Sequence, residues 1–311
     1  MPWEKEKKNE RFDSCKRNET IWWQENLARG GLSRTRGKHY GFVGENGAGK
    51  TTTLKILLGL LAADSGSVSL FQNPVTFGQV LPEKVGYLPD VPSFYPYMRA
   101  GEYLHYAGKI AGLSREQIKT RSEAVLAQVG LTGVNKRIGN YSRGMKQRLG
   151  LAQALLNEPE LLICDEPTSA LDPLGRKAFL EIFQSLKGQT TILFSTHLLT
   201  DVEAICDDVA ILHQGKIALA GSLSELKNTH GHYVYELHFP KVKDSQRLME
   251  LLQKGDWAVT EEHQVLHVTV ADYQKDGQRL LQLITEAKLV PERFELVKPS
   301  LEEVFLKVVQ G

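Results

Sequence analysis

The sequence predicts an α/β fold: a domain built around a phosphate-binding loop and interrupted by a helical insertion, followed by a small C-terminal α+β domain. Three observations carry this reading. The run Gly44-Glu45-Asn46-Gly47-Ala48-Gly49-Lys50-Thr51 matches the phosphate-loop pattern GxxxxGK[ST] at every fixed position. The apolar runs at residues 161–164, 191–194 and 209–212 are continuous rather than alternating, as in strands covered on both faces by helices. From about residue 224 the rhythm changes, and residues 233–239 alternate apolar and polar, which suits a sheet with one covered face.

In chain order, residues 1–36 stand apart: 11 of the first 20 are charged, and no apolar period follows before Gly37. They read as a solvated segment. Residues 40–43 read as a short buried strand entering the loop and residues 52–58 as the helix leaving it. Phosphate binding needs that order, because glycines let backbone N–H groups turn inward and the helix N-terminus adds partial positive charge. Gly44, Glu45, Asn46, Gly47, Ala48, Gly49, Lys50, Thr51 and Thr52 are therefore the candidate nucleotide-binding residues. Lys50 would reach the β- and γ-phosphates, and the Thr51 hydroxyl would ligate Mg²⁺.

Helical spacing at residues 101–112 and 115–129 predicts the insertion, bounded at about 91–157, within a domain spanning 37–223. In the remainder, 224–311, residues 246–253 and 280–289 read as helices and residues 257–259, 265–270 and 294–297 as strands, giving two β-α-β halves. Ser300-Leu301-Glu302-Glu303 has capping-box spacing just after Pro299, so a terminal helix starts there.

Asp165 and Glu166 close the apolar run 161–164. An acid at the end of a buried strand is costly unless it meets a cation or water. Asp165 is therefore the candidate to hold Mg²⁺, directly or through its water shell, and Glu166 the candidate general base toward the γ-phosphate. In isolation the pair would also fit two turn acids before Pro167; the phosphate loop upstream favours the chemical reading. In Tyr141-Ser142-Arg143-Gly144-Met145-Lys146-Gln147-Arg148, Ser142 is a natural helix N-cap, and Gly144 lets the backbone approach an anion.

This last stretch resembles the signature motif of ATP-binding-cassette (ABC) ATPases, which read LSGGQ or YSxGMxQR; Arg143 and Met145 depart from the LSGGQ form. Ser169-Ala170-Leu171-Asp172 is similar to the family's D-loop, and His197, after Phe194-Ser195-Thr196, to its switch histidine. The resemblance covers residues 37–223. It implies a P-loop NTPase ABC cassette with ATP and Mg²⁺ as cofactors and Glu166 and His197 as catalytic residues. It also implies that Ser142 and Gly144 contact nucleotide held by the opposite subunit, so that two chains enclose two ATP molecules head to tail. Where the family usually carries Gln in its Q-loop, this chain reads Gly86-Tyr87-Leu88-Pro89-Asp90, so the implied metal set is Thr51, Asp165 and Asp90. Relatives stack an aromatic residue on adenine about 20 residues before the phosphate loop. That window holds Ile21-Trp22-Trp23 here, leaving two alternatives: Trp22 or Trp23 stacks on the base, or the β-subdomain is incomplete. The ending Pro299-Ser300-Leu301-Glu302-Glu303-Val304-Phe305-Leu306 resembles exporter-type subunits that pair with separate permeases.

A formal net charge of +1 carries no basic excess, so no nucleic-acid partner is expected. Cys15, Cys164 and Cys206 are widely spaced with no CxxC pair, which fits reduced thiols. No apolar run approaches the roughly 20 residues that a membrane-spanning helix needs. His230, His232 and His238 fall on a predicted strand without convergent acids and give no metal site. The expectation is an ATPase subunit at the cytoplasmic face of the membrane, driving a separately encoded exporter permease through a groove near residues 90–98. Two alternatives stay open: a soluble ABC ATPase acting on ribosomes or nucleic acid, and a nucleotide-binding regulator with little turnover.

Overall fold

Runs of apolar residues too long to alternate become strands buried on both faces, and they set the architecture of the first part of the chain. The computed structural model describes residues 37–310 apart from Val80, Leu81, Glu83 and Asp256, so the expectation placed on Trp22 and Trp23 lies outside the described residues. The chain divides into two compact units between Ala220 and Gly221.

The first unit runs β1 (His39–Gly44), α1 (Lys50–Leu57), β2 (Val68–Leu70), β3 (Asn73–Val75), β4 (Val85–Leu88), α2 (Ala100–Ile110), α3 (Arg115–Gln128) and α4 (Arg143–Leu155). It continues with β5 (Leu161–Asp165), α5 (Pro173–Ser185), β6 (Thr191–Thr196), α6 (Leu199–Ile205), β7 (Asp208–His213) and β8 (Lys216–Ser222), whose last two residues fall past the boundary. One sheet has the order β4-β5-β6-β1-β7-β8, with β4, β5, β6, β1 and β7 parallel. Every residue of β5 and β6 is buried, which is why their sequences show no alternation.

The order of these strands creates the site. Although β1 comes first in sequence, it lies between β6 and β7, so the loops leaving β5, β6 and β1 open side by side at the carboxyl end of the sheet. In open α/β sheets that edge is where ligands bind. Register makes the alignment specific: Asp165 pairs with Ser195, and Thr196 with Val43.

Packing holds this edge. Phe42, Leu54 and Leu58 share a core with Leu161, Ile163, Leu193 and Leu212. On α5, Phe179 and Phe183 recur at helical spacing, with ring centroids 5.1 Å apart, and Phe183 meets Phe194 of β6 at 5.9 Å. Each such buried side chain contributes roughly 1.5–3 kcal/mol. Three α-helices and a short 3₁₀ helix (Ile138–Asn140) occupy the stretch between β4 and β5. Of these, α3 opens with a reciprocal cap in which Gln117 N donates to Ser114 Oγ (3.2 Å) and Ser114 N donates to Gln117 Oε1 (2.9 Å).

The second unit contains α7 (Leu223–His230), β9 (Tyr233–His238), α8 (Val242–Gln253), β10 (Ala258–Glu262), β11 (Val265–Val270), α9 (Tyr273–Glu286), β12 (Arg293–Val297) and α10 (Leu301–Gln310). Its sheet is antiparallel in the order β10-β11-β9-β12, so the two β-α-β halves interlock. Tyr235, Leu237, Leu266 and Val268 point to one face and meet Leu248 and Leu252 of α8 and Leu280 and Ile284 of α9.

Some boundaries differ from the sequence reading. His230 ends α7 and His232 precedes β9, leaving only His238 of the three histidines on a strand. Trp257 lies just outside β10. Helix α9 begins well before Leu280, because the Asp272 carboxylate accepts the N–H groups of Gln274 (3.0 Å) and Lys275 (3.1 Å). At α10, Glu303 N donates to Ser300 Oγ (3.1 Å) as the spacing predicts, while the Glu303 carboxylate accepts from His232 N at 3.1 Å and ties α10 to the end of α7.

Candidate active site

The phosphate loop owes its shape to its glycines. Gly47 (φ 85°) and Gly49 (φ 105°) adopt left-handed backbone that side chains disfavour, and a Cβ on Gly44 would stand 2.6 Å from the Leu212 carbonyl oxygen on β7. Gly49 is the N-cap of α1, so Lys50, Thr51 and Thr52 form that helix's first turn, with Glu45, Asn46 and Ala48 on the loop before it. Lys50 is only 6% exposed. Its ammonium donates to the carbonyls of Gly44 (2.7 Å) and Glu45 (3.1 Å) and lies 3.3 Å from Glu166 Oε1.

Asp165 and Glu166 leave β5 in different directions. Buried Asp165 accepts two hydroxyl hydrogen bonds on Oδ1, from Thr51 at 3.0 Å and from Ser195 at 2.7 Å. Two hard oxygen donors, one of them anionic, thus lie together at the start of α1, a set that suits Mg²⁺. Glu166 sits at φ 45°, in the left-handed region, and its N–H donates to the Ser195 carbonyl at 3.1 Å. That turn aims the carboxylate between Lys50 and His197, whose Nδ1 is 3.0 Å from Glu166 Oε2.

Asp90 meets the site from the segment after β4: Ser169 Oγ donates to Asp90 Oδ1 at 3.4 Å and to the Glu166 carbonyl at 3.1 Å. Burial, with Asp165 and Asp90 adding to it, pushes the nearby Tyr87 hydroxyl up to about 12, so it stays neutral. Ser142 caps α4 by accepting from Met145 N at 3.2 Å, and Gly144 lies in that helix's first turn, where a Cβ would meet Leu171 of the D-loop-like stretch at 3.5 Å. The structure therefore gathers Lys50, Thr51, Asp165, Glu166 and His197 at one edge and sets Ser142 and Gly144 on a separate helix N-terminus. The sequence reading did not single out Ser195, which bonds Asp165, or Thr168, Arg176 and Asp201, which bond one another beside the site. Their polar partners lie 24 to 33 residues away in sequence, beyond any local spacing rule.

Comparison with known proteins shows the family of the chain. A family description, ABC transporter, matches residues 29–169, and a second, ATP-binding protein DrrA1-3-like, C-terminal domain, matches residues 221–309. The chain is 41% identical over 275 residues to the uncharacterized ABC transporter ATP-binding protein YxlF of Bacillus subtilis, covering 86% of this chain and 89% of that protein. It is 36% identical over 280 residues to the bacitracin transport ATP-binding protein BcrA of Bacillus licheniformis, covering 89% and 90%. Among solved structures, an ATP-binding subunit of an ABC transporter aligns with a TM-score of 0.55 at 34% identity, over 62% of this chain and 82% of that one.

Proposed function

Because this chain belongs to the ABC transporter family of ATP-binding proteins and is an ATPase, we propose that it powers a separately encoded exporter permease from the cytoplasmic face of the membrane. The observation that carries the reading is the convergence of Lys50, Thr51, Asp165, Glu166 and His197 at the carboxyl edge of one parallel sheet. In this reading the loop amides and Lys50 bind the triphosphate. Thr51 and Asp165, with Asp90 nearby, would hold Mg²⁺, which supplies neutralising charge between the phosphates. Glu166 takes the proton from the attacking water, and His197, with Nδ1 3.0 Å from Glu166 Oε2, orients that carboxylate and would contact the γ-phosphate once ATP is bound. Ser142 and Gly144 complete the site of a second copy, so turnover requires a head-to-tail dimer.

Two further features support a permease partner. The segment after Asp90 exposes Val91, Tyr95 and Tyr97, the last at 61%, and such clustered apolar surface marks docking sites. Among the described residues no helix is long and apolar enough to cross a membrane. BcrA carries bacitracin transport in its name, which favours export of a related kind of cargo. The test is co-expression with the adjacent reading frame that encodes apolar spans of about 20 residues. The expected result is co-purification from membranes with ATPase activity raised by the partner. Recovery of the chain on ribosomes, with none at the membrane, would overturn the proposal.

A further inference from the structure

Asp201 belongs to none of the nucleotide motifs, yet it is 1% exposed. It lies on α6, four residues after His197. A carboxylate taken out of water persists only where hydrogen bonds and a cation compensate its desolvation. Here Thr168 Oγ1 donates to Oδ2 at 2.6 Å, and Arg176 Nε donates to Oδ1 at 2.6 Å. Arg176 also donates through Nη2 to Thr200 Oγ1 at 2.6 Å, which fixes its guanidinium on α6 by two points.

The partners' positions give the pair its meaning. Thr168 follows Glu166 by two residues, and Arg176 lies in the first turns of α5, so Asp201 grips both ends of the segment that leaves the base. Between those ends, Ser169 Oγ bonds back to the Glu166 carbonyl, and the Asp172 carboxylate accepts Gly175 N at 2.6 Å to start α5. The segment after β5 is thereby clamped to the helix that follows β6. Those two strands deliver Glu166 and His197.

We infer that Asp201 is a positioning residue for hydrolysis: its buried carboxylate holds the loop carrying Glu166 against the loop carrying His197 and so maintains their 3.0 Å contact. Asp201 reaches the chemistry only through Thr168 and Arg176. The inference rests on Glu166 being the base. A merely structural carboxylate would stabilise α5 against α6 without affecting the chemical step. A misplaced base slows that step, and a shift of about 1 Å can cost a hundredfold.

The experiment uses the full chain with Asp201→Asn, Thr168→Val, Thr168→Ser and Glu166→Gln, measuring kcat, ATP affinity and thermal midpoint for each. Asp201→Asn and Thr168→Val keep shape while weakening or removing the clamp. Each is expected to lower kcat about tenfold or more with ATP affinity held within about twofold. Thr168→Ser restores the hydroxyl and the rate, and the double variant Asp201→Asn/Thr168→Val is no slower than the worse single one. The inference is overturned if Glu166→Gln abolishes turnover but Asp201→Asn and Thr168→Val turn over at the wild-type rate, or if their losses track only thermal stability. Should Asp201→Asn fail to fold, the Thr168 pair decides alone: slow Val with normal Ser supports the clamp, and normal Val refutes it. Wild-type turnover by Glu166→Gln would instead overturn the base assignment.

Discussion

Replacing Glu166 by glycine and, separately, by alanine isolates a strain that the fold imposes on its own base. Glu166 has φ 45°, a left-handed conformation that costs a residue bearing a Cβ about 1–2 kcal/mol. Both substitutions delete the carboxylate, so the contacts to Lys50 at 3.3 Å and His197 at 3.0 Å disappear equally. The two variants then differ only by one methyl group on a left-handed backbone. Glycine gains the relief of about 1–2 kcal/mol and loses roughly 0.5–1 kcal/mol to the greater freedom of its unfolded chain. The net is about 0.5–1 kcal/mol in favour of glycine, or about 1–4 °C in the midpoint of a unit of this size. Differential scanning calorimetry of the two variants side by side measures it, and neither should hydrolyse ATP. An alanine variant melting at or above the glycine variant would refute the argument that the turn after Asp165 holds Glu166 under strain.

Three other outcomes are expected. Lys50→Ala should lose ATP binding itself in a nucleotide titration, since Lys50 lies within the loop's backbone cradle as its nearest cation; retained tight binding would count against the loop assignment. His39 on β1 is pushed down to about 4, chiefly by burial and then by Lys187, so its neutral form stabilises the fold fully above the unfolded value near 6.5. That stability is lost as pH falls from 6.5 toward 4, by at most about 2 kcal/mol at pH 5, and His39→Leu should flatten urea-unfolding stability between pH 7 and 5; an unchanged pH dependence would contradict this. Cys164 and Cys206 are buried, and burial pushes both thiols up, so alkylation followed by mass spectrometry should modify them only on unfolding; rapid modification of the native protein would show that these sites open.

The fold was legible where residue pattern and burial coincide. Residues 161–164 and 191–194 read as strands because both faces of β5 and β6 are covered, and Ser142 and Ser300 mark helix starts because a short hydroxyl side chain at those points accepts a backbone N–H. The β2–β3 hairpin escaped notice because its turn, Phe71-Gln72, takes positive φ at both residues without the Asn-Gly or Asp-Gly pair that signals such turns. Strand β8 and helices α5, α6 and α7 were likewise not foreseen, being short or mixed in pattern, although Asp172 before Pro173 is a good start signal for α5. Within the site, the residue types around Lys50 and Asp165 declared their chemistry in sequence. The turn at Glu166 and the bonds that Ser195 donates to Asp165 and Thr168 donates to Asp201 did not, because they exist only once β5, β6 and β1 lie side by side.

The account stands most directly on Glu166→Gln, which removes the base but leaves the phosphate loop and Asp165 untouched. Mixed with Mg-ATP, the purified variant should bind ATP as tightly as the wild-type chain, elute as a dimer on size exclusion, and lose hydrolysis by about 10²–10⁴-fold. Hydrolysis at the wild-type rate by this variant would contradict the assignment of Glu166 and, with it, the mechanism built on that edge of the sheet.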